Sequence, residues 1–146
     1  MARFSKSDMR YFDMAHRMAD ESTYPQIHIG CVFVYKGHII GSGCNSNKTS
    51  PIQKRYNRYR AFKYDDKPVI HKNHAEISCM KSVPKSVDMA TDWSKVKAYI
   101  YRVSPGKDSK FGLSRPCGGC LKMLKDKGIK HIYYTGDSSY VYEELL

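Results

Sequence analysis

The sequence predicts an α/β fold, with a mixed sheet of about five strands and helices on both of its faces. Two observations indicate this class. Runs rich in β-branched and aromatic residues alternate with segments whose apolar residues recur at helical spacing, and turn-forming residues separate them. The strand-like runs are residues 27–35, 39–45, 96–103, 129–134 and 140–142. The helical segments are residues 6–21, 74–83 and 117–127.

The N-terminal elements have clear start and stop signals. Ser5 or Ser7 can cap the first helix, which is expected to end before Pro25. The two strand-like runs that follow are joined by Lys36-Gly37-His38. This connection predicts a β-hairpin with Gly37 in the turn, so the two strands are expected to be antiparallel neighbours.

The second half of the chain predicts the rest of the sheet. Residues 84–94 are expected to form a solvent loop, and the turn-rich residues 103–114 a small β excursion. Gly128 is the expected C-cap of the helix over residues 117–127. The short Gly-Asp turn before residues 140–142 predicts a last strand antiparallel to the one before it.

Length and composition predict one intracellular domain. With 146 residues, the chain suits a single core, so we expect one domain over residues 1–146. Five cysteines are an odd number for a disulfide framework. The sequence opens without a basic-then-apolar leader and has no long apolar run. We therefore expect a cytoplasmic protein with no membrane partner.

The charge balance points to an acidic partner. The chain has 25 Lys and Arg against 14 Asp and Glu, a formal net charge of +11. Such an excess affects association rather than fold, and phosphate is the most common biological complement. The alternative is a solvated basic surface without a specific partner.

Two short motifs predict a catalytic metal site. They are His74-Ala75-Glu76 and Pro116-Cys117-Gly118-Gly119-Cys120. His74, Cys117 and Cys120 supply three ligands, whereas a structural zinc usually takes four. A zinc with three protein ligands keeps a position for water, whose pKa falls to roughly 7. Glu76, which is not a ligand, would then move protons as a general acid and base.

In this combination the motifs resemble the H-x-E…P-C-x-x-C signature of the zinc-dependent cytidine and deoxycytidylate deaminase superfamily. The resemblance extends to residues 29–34 and 40–45, and it implies a three-layer α/β/α fold, Zn²⁺ as cofactor and hydrolytic deamination of cytosine to uracil. It also suggests that Asn45 binds the substrate sugar and that main-chain groups at Ala75 and before Pro116 hold the base. For Asn45, a simple turn residue is the alternative.

The segment over residues 48–72 is where the substrate is expected to be decided. Eight basic residues against two aspartates give this segment +6, and four aromatic residues interleave with them. The basic residues are Lys48, Lys54, Arg55, Arg58, Arg60, Lys63, Lys67 and Lys72, and the aromatic ones are Tyr56, Tyr59, Phe62 and Tyr64. Cations for phosphates and rings for stacking are typical of single-strand binding. Arg55, Arg58 and Tyr59 are therefore candidate substrate contacts, and Arg115 is a further one.

These features favour cytosine in DNA as the substrate, and alternatives stay open. Free deoxycytidylate (dCMP) or (deoxy)cytidine is the first, because segments 40–45 and 47–51 look like those of small phage-type deoxycytidylate deaminases. An amphipathic helix with its cations in solvent would explain the basic segment equally well. The last alternative is a non-catalytic module that binds nucleic acid and holds a structural zinc, with His71 or Cys79 as its fourth ligand.

Overall fold

The structure is a computed structural model that describes residues 4–24, 27–48, 50–59, 72–103, 113–137 and 139–146. Its strands are β1 (His28–Tyr35), β2 (His38–Cys44), β3 (Lys97–Val103), β4 (His131–Thr135) and β5 (Tyr140–Glu144). Its helices are α1 (Lys6–Asp20), α2 (Pro51–Asn57), α3 (Ala75–Ser82), α4 (Lys85–Ala90) and α5 (Gly118–Lys127), and a 3₁₀ turn covers Trp93–Lys95. None of the helices described is long and apolar enough to cross a bilayer.

The strands form one mixed sheet in the order β2-β1-β3-β4-β5. Strand β1 is antiparallel to both of its neighbours, β3 and β4 are parallel, and β5 is antiparallel to β4. The parallel pair is joined by a crossover through α5, as parallel strands require. This confirms the predicted α/β class and the antiparallel last strand.

The β1–β2 hairpin has a two-residue turn. Lys36 and Gly37 both have positive φ, 49° and 79°, and Tyr35 pairs with His38. Two left-handed central residues define the type I′ turn, whose twist matches that of the strands. The prediction that Gly37 lies in the turn is confirmed, while His38 already belongs to β2.

Helices cover both faces of the sheet, as predicted. Helix α1 starts after Ser5, whose hydroxyl accepts from the Asp8 N–H at 3.0 Å, and it buries Phe12 and Ala15 on one face. Helices α3 and α5 lie on the other face, where Ile77 and Leu124 join the larger core cluster. The two helices that begin at the metal motifs therefore share one side of the sheet.

The expectation of a solvent loop over residues 84–94 is wrong, because α4 and the 3₁₀ turn occupy it. Pro84 precedes the first turn, where a missing N–H costs nothing, rather than interrupting a helix. Helix α4 has no buried residue, so it has no apolar face that periodicity would reveal. Tertiary contacts hold it instead: the Trp93 indole and the Lys127 ammonium both donate to the Asp88 carboxylate, each at 2.9 Å.

Parts of two sequence predictions lie outside the described residues. Residues 60–71 contain half of the basic and aromatic segment, including Arg60, Phe62 and Lys63. Residues 104–112 contain most of the expected β excursion. Within the described part, Pro51 opens α2 after the N-cap Ser50.

Close approach between β2 and α3 depends on Gly43. A Cβ at this position would lie 2.4 Å from the Cys79 nitrogen and 2.7 Å from the Ser78 carbonyl carbon. Both are backbone atoms of α3, so the helix would have to move to admit a side chain. Because α3 begins next to His74, the absence of a side chain at residue 43 helps to place the metal motif.

We expect Gly43→Ala to lower the free energy of unfolding by about 1–3 kcal/mol, the usual cost of overpacking. Urea denaturation measures this loss. The matched control is Gly37→Asn, because nothing lies within 4 Å of a Cβ at Gly37 and asparagine tolerates its left-handed φ. Equal stability of the two variants would contradict the role given to Gly43.

Candidate active site

Two helix starts meet at the predicted metal ligands. His74 is the N-cap of α3, Cys117 is the N-cap of α5, and Cys120 lies in the first turn of α5. The Nδ1 atom of His74 is 3.5 Å from the Cys117 Sγ and 3.4 Å from the Cys120 Sγ. Ligands from segments more than forty residues apart in sequence are thus brought into contact.

These distances suit a tetrahedral zinc ion. With Zn–N near 2.0 Å and Zn–S near 2.3 Å, a tetrahedral angle separates the two ligand atoms by about 3.5 Å. Among the residues described, the group of metal-binding atoms within 4.8 Å of one another consists of His74, Cys117 and Cys120. Three ligands of this kind match a catalytic zinc that retains a position for water.

The expected fourth ligand of a structural zinc does not join this group within the described chain. Cys79 is fully buried and forms a hydrogen bond with Cys31, which is also fully buried. Both cysteines belong to the hydrophobic core. His71, the other candidate, lies outside the described residues.

The pKa values of the two candidate ligand thiols, Cys117 and Cys120, are shifted in opposite directions. A hydrogen bond from Cys120 is the main cause that lowers the pKa of Cys117 to about 3, and His74 adds to this effect. Burial raises the pKa of Cys120 well above its ordinary value. Cys117 is therefore the thiol that deprotonates more readily. Metal binding releases any thiol proton that remains, because cysteine coordinates as a thiolate.

Glu76 provides a carboxyl group beside the ligands without belonging to their set. It is only 4% exposed and stands in the first turn of α3, close to Cys117 and Cys120. Burial raises its pKa, while the charge of His74 and a hydrogen bond with Cys120 act in the opposite direction. A buried carboxyl group with a raised pKa suits the transfer of protons at a reacting centre.

A cavity of about 420 Å³ is lined by His74, Cys117 and Glu76. Its volume lies in the range of roughly 300–1,000 Å³ that is typical of small-molecule sites. Among the described residues, its lining includes the basic side chains of Lys72, Arg102 and Arg115. The residues that coordinate a metal and the cations that would attract an anion therefore face one space.

Asn45 lines this cavity, but its side chain is already engaged with the backbone. The Oδ1 atom accepts from the Ser22 hydroxyl at 2.6 Å and from the Ile29 N–H at 2.9 Å. The Nδ2 group donates to the Ile27 carbonyl at 2.7 Å. These contacts suit the alternative of a turn residue, and the sugar contact suggested for Asn45 stays a prediction.

The other candidate substrate contacts occupy two different places. Arg115 lines the cavity and donates two hydrogen bonds of 2.9 Å to the Glu143 carboxylate. Arg55 and Arg58 are exposed on and just after α2, and neither they nor Tyr59 are among the described residues that line the cavity. Their substrate contacts stay predictions. Ala75 is buried at the first position of α3, next to His74.

Asn73 and Arg102 are among the cavity residues that the sequence analysis did not predict. Among the described residues, Asn73 Oδ1 and Arg102 Nε are the buried side-chain atoms without a hydrogen-bond partner. Both residues line the cavity. Position in the chain would have indicated them, because Asn73 directly precedes His74 and Arg102 lies at the C-terminal end of β3.

Comparison with known proteins identifies the family. A sequence model of the cytidine and deoxycytidylate deaminase zinc-binding region matches residues 5–136. No curated protein sequence matches the chain significantly.

Solved structures with the same fold include the dCMP deaminase from the cyanophage S-TIM5. Its apo form is 19% identical, with a TM-score of 0.52 over 88% of this chain and 81% of that chain. Its complex with dCMP and dUMP is 18% identical, with a TM-score of 0.54 over 91% and 83%. RibD of Acinetobacter baumannii, form 1, is 18% identical, with a TM-score of 0.50 over 90% of this chain and 28% of that chain.

At these identities the structural likeness shows the fold alone, and the family follows from the sequence match. That match spans both metal motifs and most of the chain. The protein therefore belongs to the cytidine and deoxycytidylate deaminase family and is a zinc-binding deaminase enzyme.

Proposed function

We propose that this enzyme deaminates the cytosine of a free nucleotide, with dCMP as its preferred substrate. The observation that carries the proposal is the cavity beside the metal ligands, which combines basic side chains with unsatisfied polar atoms. The products would be the corresponding uracil nucleotide and ammonia. This proposal replaces the preference for DNA that the composition of residues 48–72 suggested.

Charge supports a substrate with one phosphate. Lys72, Arg102 and Arg115 line the cavity, and two or three cations suffice for a single phosphate group. The Arg115 guanidinium already contacts Glu143, which orients it at the cavity wall. Of the basic residues in segment 48–72, Lys72 belongs to this lining, whereas Lys54, Arg55 and Arg58 are not among the described residues that form it.

Unsatisfied hydrogen bonding also supports a polar ligand. Asn73 is 8% exposed, and its Oδ1 atom has no partner among the described residues. The buried Nε of Arg102 is a donor that also has no hydrogen-bond partner among the described residues. Buried polar atoms without partners are uncommon in native proteins and call for a specific explanation. A bound nucleotide supplies hydroxyl and amino donors for Asn73 and phosphate oxygens for Arg102.

Similarity to known structures agrees with this choice. The cyanophage enzyme, a dCMP deaminase, has been solved in complex with dCMP and dUMP. Those two molecules differ by the replacement of the amino group at C4 with an oxygen. We extend the same substrate class to this protein on the basis of its own cavity.

The chemistry assigned to the side chains follows from their positions. When zinc is bound at His74, Cys117 and Cys120, it supplies Lewis-acid activation of water at neutral pH. Glu76 would take a proton from the attacking water and deliver it to the ring nitrogen. It would then take the second proton from the new C4 hydroxyl and deliver it to the departing amine, so that water and the C4 amino group become the C4 oxygen and ammonia.

Cytosine within a DNA strand is the second candidate substrate. The ring of Tyr59 is 44% exposed, with the Arg58 guanidinium at 5.3 Å and the Lys122 ammonium at 5.5 Å from its centre. Exposed aromatic and basic side chains of this kind are typical of surfaces that bind single strands. This surface would bind the neighbouring part of a DNA strand while one of its nucleotides occupies the cavity.

The two substrates are separated by assaying uracil formation on dCMP, deoxycytidine, single-stranded DNA and double-stranded DNA. We expect the highest kcat/KM for dCMP. Removing its phosphate should lower kcat/KM at least about 10-fold, because a charge-assisted hydrogen bond contributes about 1.5–3 kcal/mol. Turnover of DNA without turnover of dCMP would reject the free-nucleotide proposal in favour of the strand.

Replacing the buried carboxyl group tests its role as proton carrier. We expect Glu76→Gln to lower kcat at least about 100-fold, the lower end of the usual contribution of general acid–base catalysis. Zinc content, measured by elemental analysis, should stay at the wild-type level because Glu76 is not a ligand. The matched control is Glu144→Gln, which changes an exposed glutamate on β5. Activity of Glu76→Gln close to that of the control would exclude this mechanism.

Asn73→Ala tests the unsatisfied acceptor in the cavity wall. We expect KM for dCMP to rise roughly 3- to 10-fold, since an uncharged hydrogen bond contributes about 0.5–1.5 kcal/mol. Asn73→Asp, which keeps an acceptor oxygen, should impair KM less. The control is Asn47→Ala, because the Asn47 side chain is exposed and donates to the Thr23 carbonyl away from the cavity. An unchanged KM in Asn73→Ala would remove Asn73 from the substrate site.

A further inference from the structure

Gln53 is the most deeply buried polar side chain of helix α2. It is fully buried, although its neighbours Lys54 and Arg55 are exposed. An uncharged amide in such a place costs free energy unless its oxygen and nitrogen both find partners. The partners of Gln53 therefore explain why a glutamine occupies this position.

Both ends of the Gln53 amide are satisfied. Its Oε1 accepts from the His74 N–H at 2.9 Å, and its Nε2 donates to the Asn57 Oδ1 at 2.8 Å. Because only an acceptor can face an N–H group, the contact with His74 determines which end of the amide is the oxygen. The second contact, one helical turn along α2, holds the amide in that orientation.

The His74 N–H has no partner in the helix that follows it. As the N-cap of α3, His74 offers its carbonyl to the Ser78 N–H at 3.0 Å, while its own N–H precedes the hydrogen-bond ladder of the helix. Gln53 supplies the missing acceptor. Both main-chain polar groups of the ligand residue are therefore held, which restricts the direction in which its imidazole projects.

The preceding residue is held in the same way by the chain that leads into α2. The Asn73 N–H donates to the Lys48 carbonyl at 2.9 Å, and the Asn73 carbonyl accepts from the Ser46 N–H at 3.1 Å. Ser46, Lys48 and Gln53 thus all hold the backbone of Asn73 or His74. Of these three residues, Gln53 contacts the ligand residue itself.

We propose that Gln53 is a positioning residue for the metal ligand His74. By accepting the His74 N–H, it aims the imidazole at the two thiols of α5 and thereby strengthens zinc binding. Without this acceptor, the half-buried His74 N–H loses its bond to Gln53, and the start of α3 shifts or admits water. The inference rests on the metal centre alone, so it is independent of which cytosine substrate the enzyme uses.

Gln53→Met tests the proposal, because methionine has a similar length and good helix propensity but no comparable acceptor. We expect the full-length variant to bind zinc at least about 10-fold more weakly in a chelator competition, as is usual when the support of a metal ligand is removed. At saturating Co²⁺, its visible absorption spectrum should differ from that of the wild type because the ligand geometry has changed. Loss of general stability alone would not alter the spectrum of the folded, metal-loaded protein.

Two further variants separate positioning from stability. Ile52→Ala removes an apolar contact of α2 with the core and leaves the bond from Gln53 to His74 intact. It should lower the free energy of unfolding and keep the wild-type Co²⁺ spectrum. Gln53→Glu retains an acceptor oxygen in either protonation state, so it should recover zinc affinity relative to Gln53→Met.

Wild-type zinc affinity and Co²⁺ spectrum in Gln53→Met would overturn the proposal. Equal changes of both quantities in Ile52→Ala would overturn it as well, because they would show that any weakening of α2 acts on the metal site. If Gln53→Met does not fold, Gln53→Glu decides. A folded Gln53→Glu that binds zinc no better than 10-fold below wild type would reject Gln53 as the support of His74.

Discussion

The metal site depends on one constraint: the imidazole of His74 has to lie within bonding distance of a zinc that the two thiols of α5 also bind. The observed separations of 3.5 and 3.4 Å between His74 Nδ1 and the two sulfurs satisfy it. The ligands come from the starts of two helices on one face of the sheet. Helix starts also favour negative charge, which assists the thiolates.

Much of the surrounding structure keeps α3 in the place that this constraint requires. Gly43 lets β2 approach the backbone of α3. Gln53, on α2, accepts a hydrogen bond from the His74 N–H at the start of α3. The sheet supplies the second half of the site, because α5 crosses between the parallel strands β3 and β4. The cavity lined by Glu76, His74 and Cys117 lies at this meeting of the two helix starts.

Local signals in the chain were sufficient for most of the fold and for the metal centre. Ser5 caps α1, Gly37 occupies the hairpin turn, and Gly128 ends α5 in a left-handed conformation, each through interactions within a few residues. Helix α4 was missed because it lacks an apolar face and is held by Asp88, whose partner Lys127 is distant in sequence.

The sequence by itself determined the fold class and singled out the three candidate ligands and the adjacent carboxyl group, since periodicity, caps and motif spacing are properties of neighbouring residues. Only the tertiary structure decided which polar residues face the cavity. The cations of α2 that composition brought forward lie outside the described cavity wall, whereas Asn73 and Arg102 lie in it with unsatisfied atoms. The support of His74 by Gln53 was equally invisible, because it joins residues 21 positions apart and arises from packing rather than pattern.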